Sequence, residues 1–148
     1  MVSATLFALS AWIGQWWTVG EVAIGPMGSR HCFNGNCRSG GLAWTNGTEL
    51  WQRTAVATWA GSLLTMLLLL AIAGAIAANV KNEVMFNRAA KLIAKSTLTA
   101  LATTAIAGSY FIAKMPGVEG LAIGQGLILF VVAIVLGAVT PIRALRRA

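Results

Sequence analysis

Any chemistry in this chain has to start from few side chains. The sequence has two cysteines, one histidine and four acidic residues, Glu21, Glu49, Glu83 and Glu119, with no aspartate anywhere. A paired-carboxylate site, a Ser/His/Asp triad or a histidine-rich metal site can hardly be assembled from that inventory. What remains is sulfur chemistry at Cys32 and Cys37, in the run His31-Cys32-Phe33-Asn34-Gly35-Asn36-Cys37. Asn-Gly favours a type I′ turn, because both central residues tolerate positive φ, and the twist of that turn matches a β-hairpin. The cysteines flank it almost symmetrically, so a hairpin brings them within reach of a disulfide. The spacing therefore predicts a structural staple contributing about 2 kcal/mol, since a small closed loop removes little unfolded-state entropy.

The elements that position this hairpin are hydrocarbon-like. Apolar residues make up 57% of the 148 residues and charged residues 10%, well below the roughly 25% charged of soluble domains. The composition predicts one domain, residues 1–148, of all-α membrane class: a four-helix transmembrane bundle carrying a small external β-structure. The expected spans are about 2–19, 54–80, 91–113 and 121–140, the last ended by Pro141, with an external loop over 20–53. Short strands are expected at 18–24, 30–34 and 36–39, between glycines that break any helix. The first run has no basic leader and continues into Gln15-Trp16-Trp17, so it reads as a retained span rather than a cleaved signal. Trp12, Trp16 and Trp17 crowd its far half, and Trp44 and Trp51 return the chain to the interface, where indoles settle among headgroups.

The net charge of +7 sits at helix ends and not along one face, which is no nucleic-acid signature. One side holds Lys81, Arg88, Lys91, Lys95, Arg143, Arg146 and Arg147 against Glu83. The other holds Arg30, Arg38, Arg53 and Lys114 against three glutamates. The positive-inside rule then puts both termini in the cytoplasm and the cysteine loop outside a plasma or bacterial inner membrane. An exported cysteine pair agrees with an oxidising compartment.

Within the spans, Lys91, Lys95, Thr99 and Thr103 fall at i, i+4 spacing on one face. The stripe would line a polar pathway if it faced a pore; otherwise the lysines snorkel and the threonines bond their own backbone. Gln125, between Gly124 and Gly126, is expected to make an interhelix hydrogen bond where glycines permit close approach. Asn46-Gly47-Thr48 is both a turn and a glycosylation sequon. Glu21 follows Gly20 and the tryptophans, which places it in water or bonded to the loop.

The order of parts resembles the claudin and peripheral-myelin-protein superfamily: one helix, a long tryptophan- and cysteine-bearing loop, an arginine opening the second helix, then two helices joined by a tight turn. Trp16 or Trp17 matches that family's first-loop tryptophan, Cys32 and Cys37 its disulfide between neighbouring strands, and Arg53 its helix-start arginine. The family's Gly-Leu-Trp precedes the first cysteine, whereas here Gly41-Leu42-Ala43-Trp44 follows the second. The resemblance implies a four-helix fold with no cofactor, working through contacts with lipid, other membrane subunits or copies of itself, and no nucleic acid. Phe33, Trp44 and Trp51 are the expected contact residues. Two other classes compete. One is a small channel or transporter using the polar face of the third span. The other is a quinone-linked disulfide oxidase, which relays electrons between two cysteine pairs and uses a Cys-x-x-Cys arrangement; this chain has a single pair at wider spacing.

Overall fold

The computed structural model describes residues 2–13, 15–77 and 83–147; Lys81 and the end of the second expected span, 78–80, lie outside them. Four helices make the bundle: α1 (Val2–Ile13), α2 (Glu49–Ala77), α3 (Glu83–Ala113) and α4 (Gln125–Arg147). Helix α1 packs beside α2 and α4, and α3 closes the ring on the opposite side of both. Helices α2, α3 and α4 each contain a stretch long and apolar enough to cross a membrane. With 12 residues, α1 covers only about 18 Å at ~1.5 Å per residue.

That shortness corrects the first expected span. The apolar run does not stay helical to residue 19, because other partners claim its second half. The Trp16 indole N–H bonds the Ser10 carbonyl at 3.1 Å, and Trp17–Val19 becomes strand β1. Strands β2 (Val22–Gly25), β3 (Gly28–Phe33) and β4 (Asn36–Gly40) follow as an antiparallel meander. A fifth strand, β5 (Ala122–Ile123), pairs with β1 and completes the order β4-β3-β2-β1-β5. The sheet is therefore not confined to the first loop; residues assigned to the start of the fourth span supply its far edge.

Register fixes which face is which. Trp17, Ile24 and Ser29 share a row and a face, and all three are buried. Beneath them lies an aromatic joint between sheet and bundle. Trp16 approaches Phe130 at 4.6 Å and Phe111 at 5.7 Å, and Trp17 meets Phe111 edge-on at 5.0 Å. Trp51 stacks on Phe111 at 4.8 Å. Large apolar rings buried in this way are the main favourable term at such a joint. The sequence placed Trp16 and Trp17 among headgroups; burial against α3 and α4 overrides that, whereas Trp12 is left 75% exposed.

Two further expectations change. Pro141 lies inside α4 and not at its end; a proline withdraws one N–H from the helical ladder, and the helix passes through it. Gln125 is exposed as the first residue of α4 and not set between helices in its interior. The flanking glycines do make a close approach, but to the chain after α1. The Gly124 N–H bonds the Trp16 carbonyl and the Gly126 N–H the Gln15 carbonyl, both at 2.8 Å. These bonds satisfy donors that a helix N-terminus otherwise leaves without partners. A Cβ on Gly124 would overlap the Gln15 carbonyl oxygen, so glycine is required there.

Interior hydroxyls thread the bundle. Thr58, Ser62 and Thr65 on α2 and Thr97 and Thr104 on α3 are buried. Thr58 and Ser62 donate to carbonyls one turn back at 2.7 Å, as do Thr97 and Thr104. Thr65 and Thr104 meet across the helices at 3.5 Å, beside Gly61, whose missing side chain leaves room for Thr104. No described buried side-chain polar atom lacks a partner.

Candidate interaction surface

The β3–β4 hairpin is built locally. Asn34 and Gly35 hold φ of 47° and 80°, the positive pair a type I′ turn requires. Cys32 and Cys37 are directly opposite in the ladder and joined by a disulfide. Their Cα atoms are 4.1 Å apart, which marks a non-hydrogen-bonded pair, the narrower of the two antiparallel spacings. Hydrogen-bonded pairs then fall at Phe33–Asn36, His31–Arg38 and Ser29–Gly40. The backbone N–H and C=O groups of Cys37 and Ser39 consequently point away from β3, toward the open edge of the sheet.

The hairpin projects. Strands β1 and β5 join the helices at their Trp17 and Ile123 ends, and the Ser29–Gly40 pair continues that row. The Phe33–Asn36 pair lies four residues further out, about 13 Å at ~3.3 Å per residue. Every residue of β4 is exposed, and Phe33 is 71% exposed. Trp44, in a 3-10 turn over Ala43–Thr45, is held under β3: its indole N–H donates to Ser29 Oγ at 2.9 Å, and its ring meets His31 edge-on at 5.4 Å. It remains 42% exposed.

Ser29 and His31 are the closest approach to a nucleophile and base. Their Oγ and Nε2 atoms lie 3.2 Å apart, but the hydroxyl also donates to the Gly41 carbonyl at 3.1 Å and accepts the Trp44 indole. A serine so occupied and only 5% exposed serves as a packing bracket, and sequence spacing alone gave no sign of it. Among the described residues no group of three or more His, Cys, Asp or Glu is arranged to hold a metal. Glu21 is exposed and lines an open groove with Thr18, Ala23 and Arg30 on the outer face of the sheet.

The other expected residues disperse. Trp51 is fully buried, its indole N–H on the Phe111 carbonyl at 2.8 Å; it is a core residue and not a contact residue, because α2 begins early enough to carry it under the sheet. Arg53 pairs with Glu49 one turn back, both largely exposed, a pair worth little on its own. Lys95, Thr99 and Thr103 face outward from α3. The two threonines back-bond to the carbonyls of Lys95 and Thr99 at 3.1 Å, so the stripe lines no channel within a single bundle.

Sheet and bundle together define a four-helix protein with three apolar candidate spans and a disulfide-stapled, five-stranded antiparallel cap. No family model matches the chain, and no curated protein or solved structure matches it.

Proposed function

We propose that this protein is a non-enzymatic integral membrane protein of claudin-like layout that acts by protein contact, either as an accessory subunit of a larger membrane complex or by self-association. The observation that carries this reading is the β3–β4 hairpin: rigidified by its disulfide, projecting beyond the helix junctions, and exposed through Phe33 and all of β4. The outer face of α3 supports it. Exposed positions on α2 and α4 are mostly bulky and aliphatic, such as Leu64, Leu67, Ile128 and Val135. On α3 Leu92 and Ile106 are exposed as well, but so are Lys95, Ser96, Thr99, Ala102 and Thr103, a mixed surface whose small and polar residues can pack against other helices. The distribution of basic residues orients both termini to the cytoplasm and the sheet outside. Labelling of a carboxy-terminal reporter from outside an intact cell would refute that orientation.

A photo-crosslinking residue at Phe33, and separately at Thr99, tests the reading in native membranes. The expected result is a discrete protein adduct from each position. If both positions yield lipid adducts alone, the contact function is refuted.

A further inference from the structure

The open edge of the sheet has a definite chemistry. Strand β4 is the last in the order β4-β3-β2-β1-β5, and the hairpin register leaves the backbone donors and acceptors of Cys37 and Ser39 free along it. An edge of this kind is a template for one more strand. The charged side chains of the hairpin itself are of one sign: residues 28–40 contain Arg30 and Arg38 and no carboxylate. Arg38 sits at the centre of the edge, cross-strand from His31.

Charge also decides between occupants. A second copy pairing antiparallel through its own β4, centred on this five-residue strand, would set Arg38 directly opposite Arg38, and like charges facing across a ladder are destabilising. An acidic strand in the same place would set a carboxylate there instead. The disulfide matters too: it ties Cys37, one of the two residues with free outward backbone groups, to β3, so the edge is ordered before anything arrives and less entropy is lost on docking.

We infer that β4 is a docking edge for an extended acidic segment of a partner protein, which adds as a sixth strand through the backbone of Cys37 and Ser39 while its carboxylates face Arg38. The inference rests on the reading of the hairpin as a contact surface and adds the partner's chemistry and its mode of binding.

The probe is a labelled seven-residue peptide alternating Glu with Val and Thr, titrated by fluorescence anisotropy onto the full chain in nanodiscs of uncharged lipid. Three comparisons separate strand addition from general attraction. The same peptide N-methylated at alternate residues, and one with Lys replacing Glu, should each bind at least tenfold more weakly. Arg38→Glu should reverse the preference between the Glu and Lys peptides. Ser39→Pro removes an outward N–H that β3 does not use and should weaken binding severalfold, with Ser39→Ala unchanged; an intact Cys32–Cys37 bond verifies the fold of each variant. Equal binding of the methylated peptide would overturn the inference, as would β4-dependent self-association in place of peptide binding. If no peptide binds while the Phe33 crosslink still captures a protein, the strand-edge inference is overturned and the contact function stands.

Discussion

The indole N–H of Trp51 reaches the carbonyl of Phe111 at 2.8 Å while the two rings stack at 4.8 Å, so residues 60 apart in sequence are tied by a hydrogen bond and a ring contact together. Phe111 lies in the last turn of α3, where carbonyls have no helical partner. Trp51 thus closes the end of one helix from the first turn of another.

Trp51→Phe keeps the stack and removes the donor. Leaving a buried carbonyl unpaired costs about 1–3 kcal/mol, which at this chain length lowers a thermal midpoint by several degrees. Thermal unfolding in mild detergent checks this, and an unchanged midpoint would mean that another group replaces the indole at the carbonyl.

Gly124 is the second tie between distant parts. Gly124→Val forces a side chain into the Gln15 carbonyl, and overpacking of this kind costs about 1–3 kcal/mol. Gly74 has open space around it, so Gly74→Ala should be nearly neutral. Comparable losses from both variants would show that the Gly124 contact carries no special weight.

Much of the hairpin was legible in the sequence because its determinants are local. Asn34-Gly35 sets the turn, and the turn sets the pairing of Cys32 with Cys37. The fates of Trp16, Trp17 and Trp51 were not legible, since a tryptophan near a span end reads alike whether lipid headgroups or Phe111 cover it. Strand β5 is two residues long, below any periodicity signal, and exists only because β1 is there to pair with it. Gly124 and Gly126 read as permitting close approach of helices, but what approaches them is the chain after α1, which spacing in the sequence does not specify. The outward aspect of Lys95, Thr99 and Thr103 depends on which face of α3 meets α2 and α4, which spacing alone leaves open.

The disulfide should be a staple and nothing more. Replacing Cys32 and Cys37 with serine should cost the hairpin about 2 kcal/mol and leave the four helices assembled. Amide exchange would register faster opening in residues 28–40 with protection in α2 and α3 retained. Thiol trapping that finds the pair cycling with a quinone would replace the contact reading with a redox one.

Trp44→Ala should weaken association with a captured partner by about 2 kcal/mol, the scale of an aromatic anchor, without loss of membrane abundance. Ser29→Ala is the companion, because it cuts the tether at Ser29 Oγ while keeping the ring. Unchanged partner recovery with Trp44→Ala would assign the indole to the hairpin's own packing.

The pairing of β1 with β5 also dictates an order of events during synthesis. Trp17 is made early, but Ile123, its partner in the ladder, follows about a hundred residues later, roughly five to twenty seconds at ~5–20 residues per second. Through that interval the Trp17 edge of the sheet stays open, and the carbonyls of Gln15 and Trp16 wait for the N–H groups of Gly126 and Gly124. The stapled hairpin can mature while the later helices are still being translated. The cap closes only when the last helix arrives, so a chain truncated before α4 should persist as an unfinished sheet that quality-control machinery can distinguish from the completed protein.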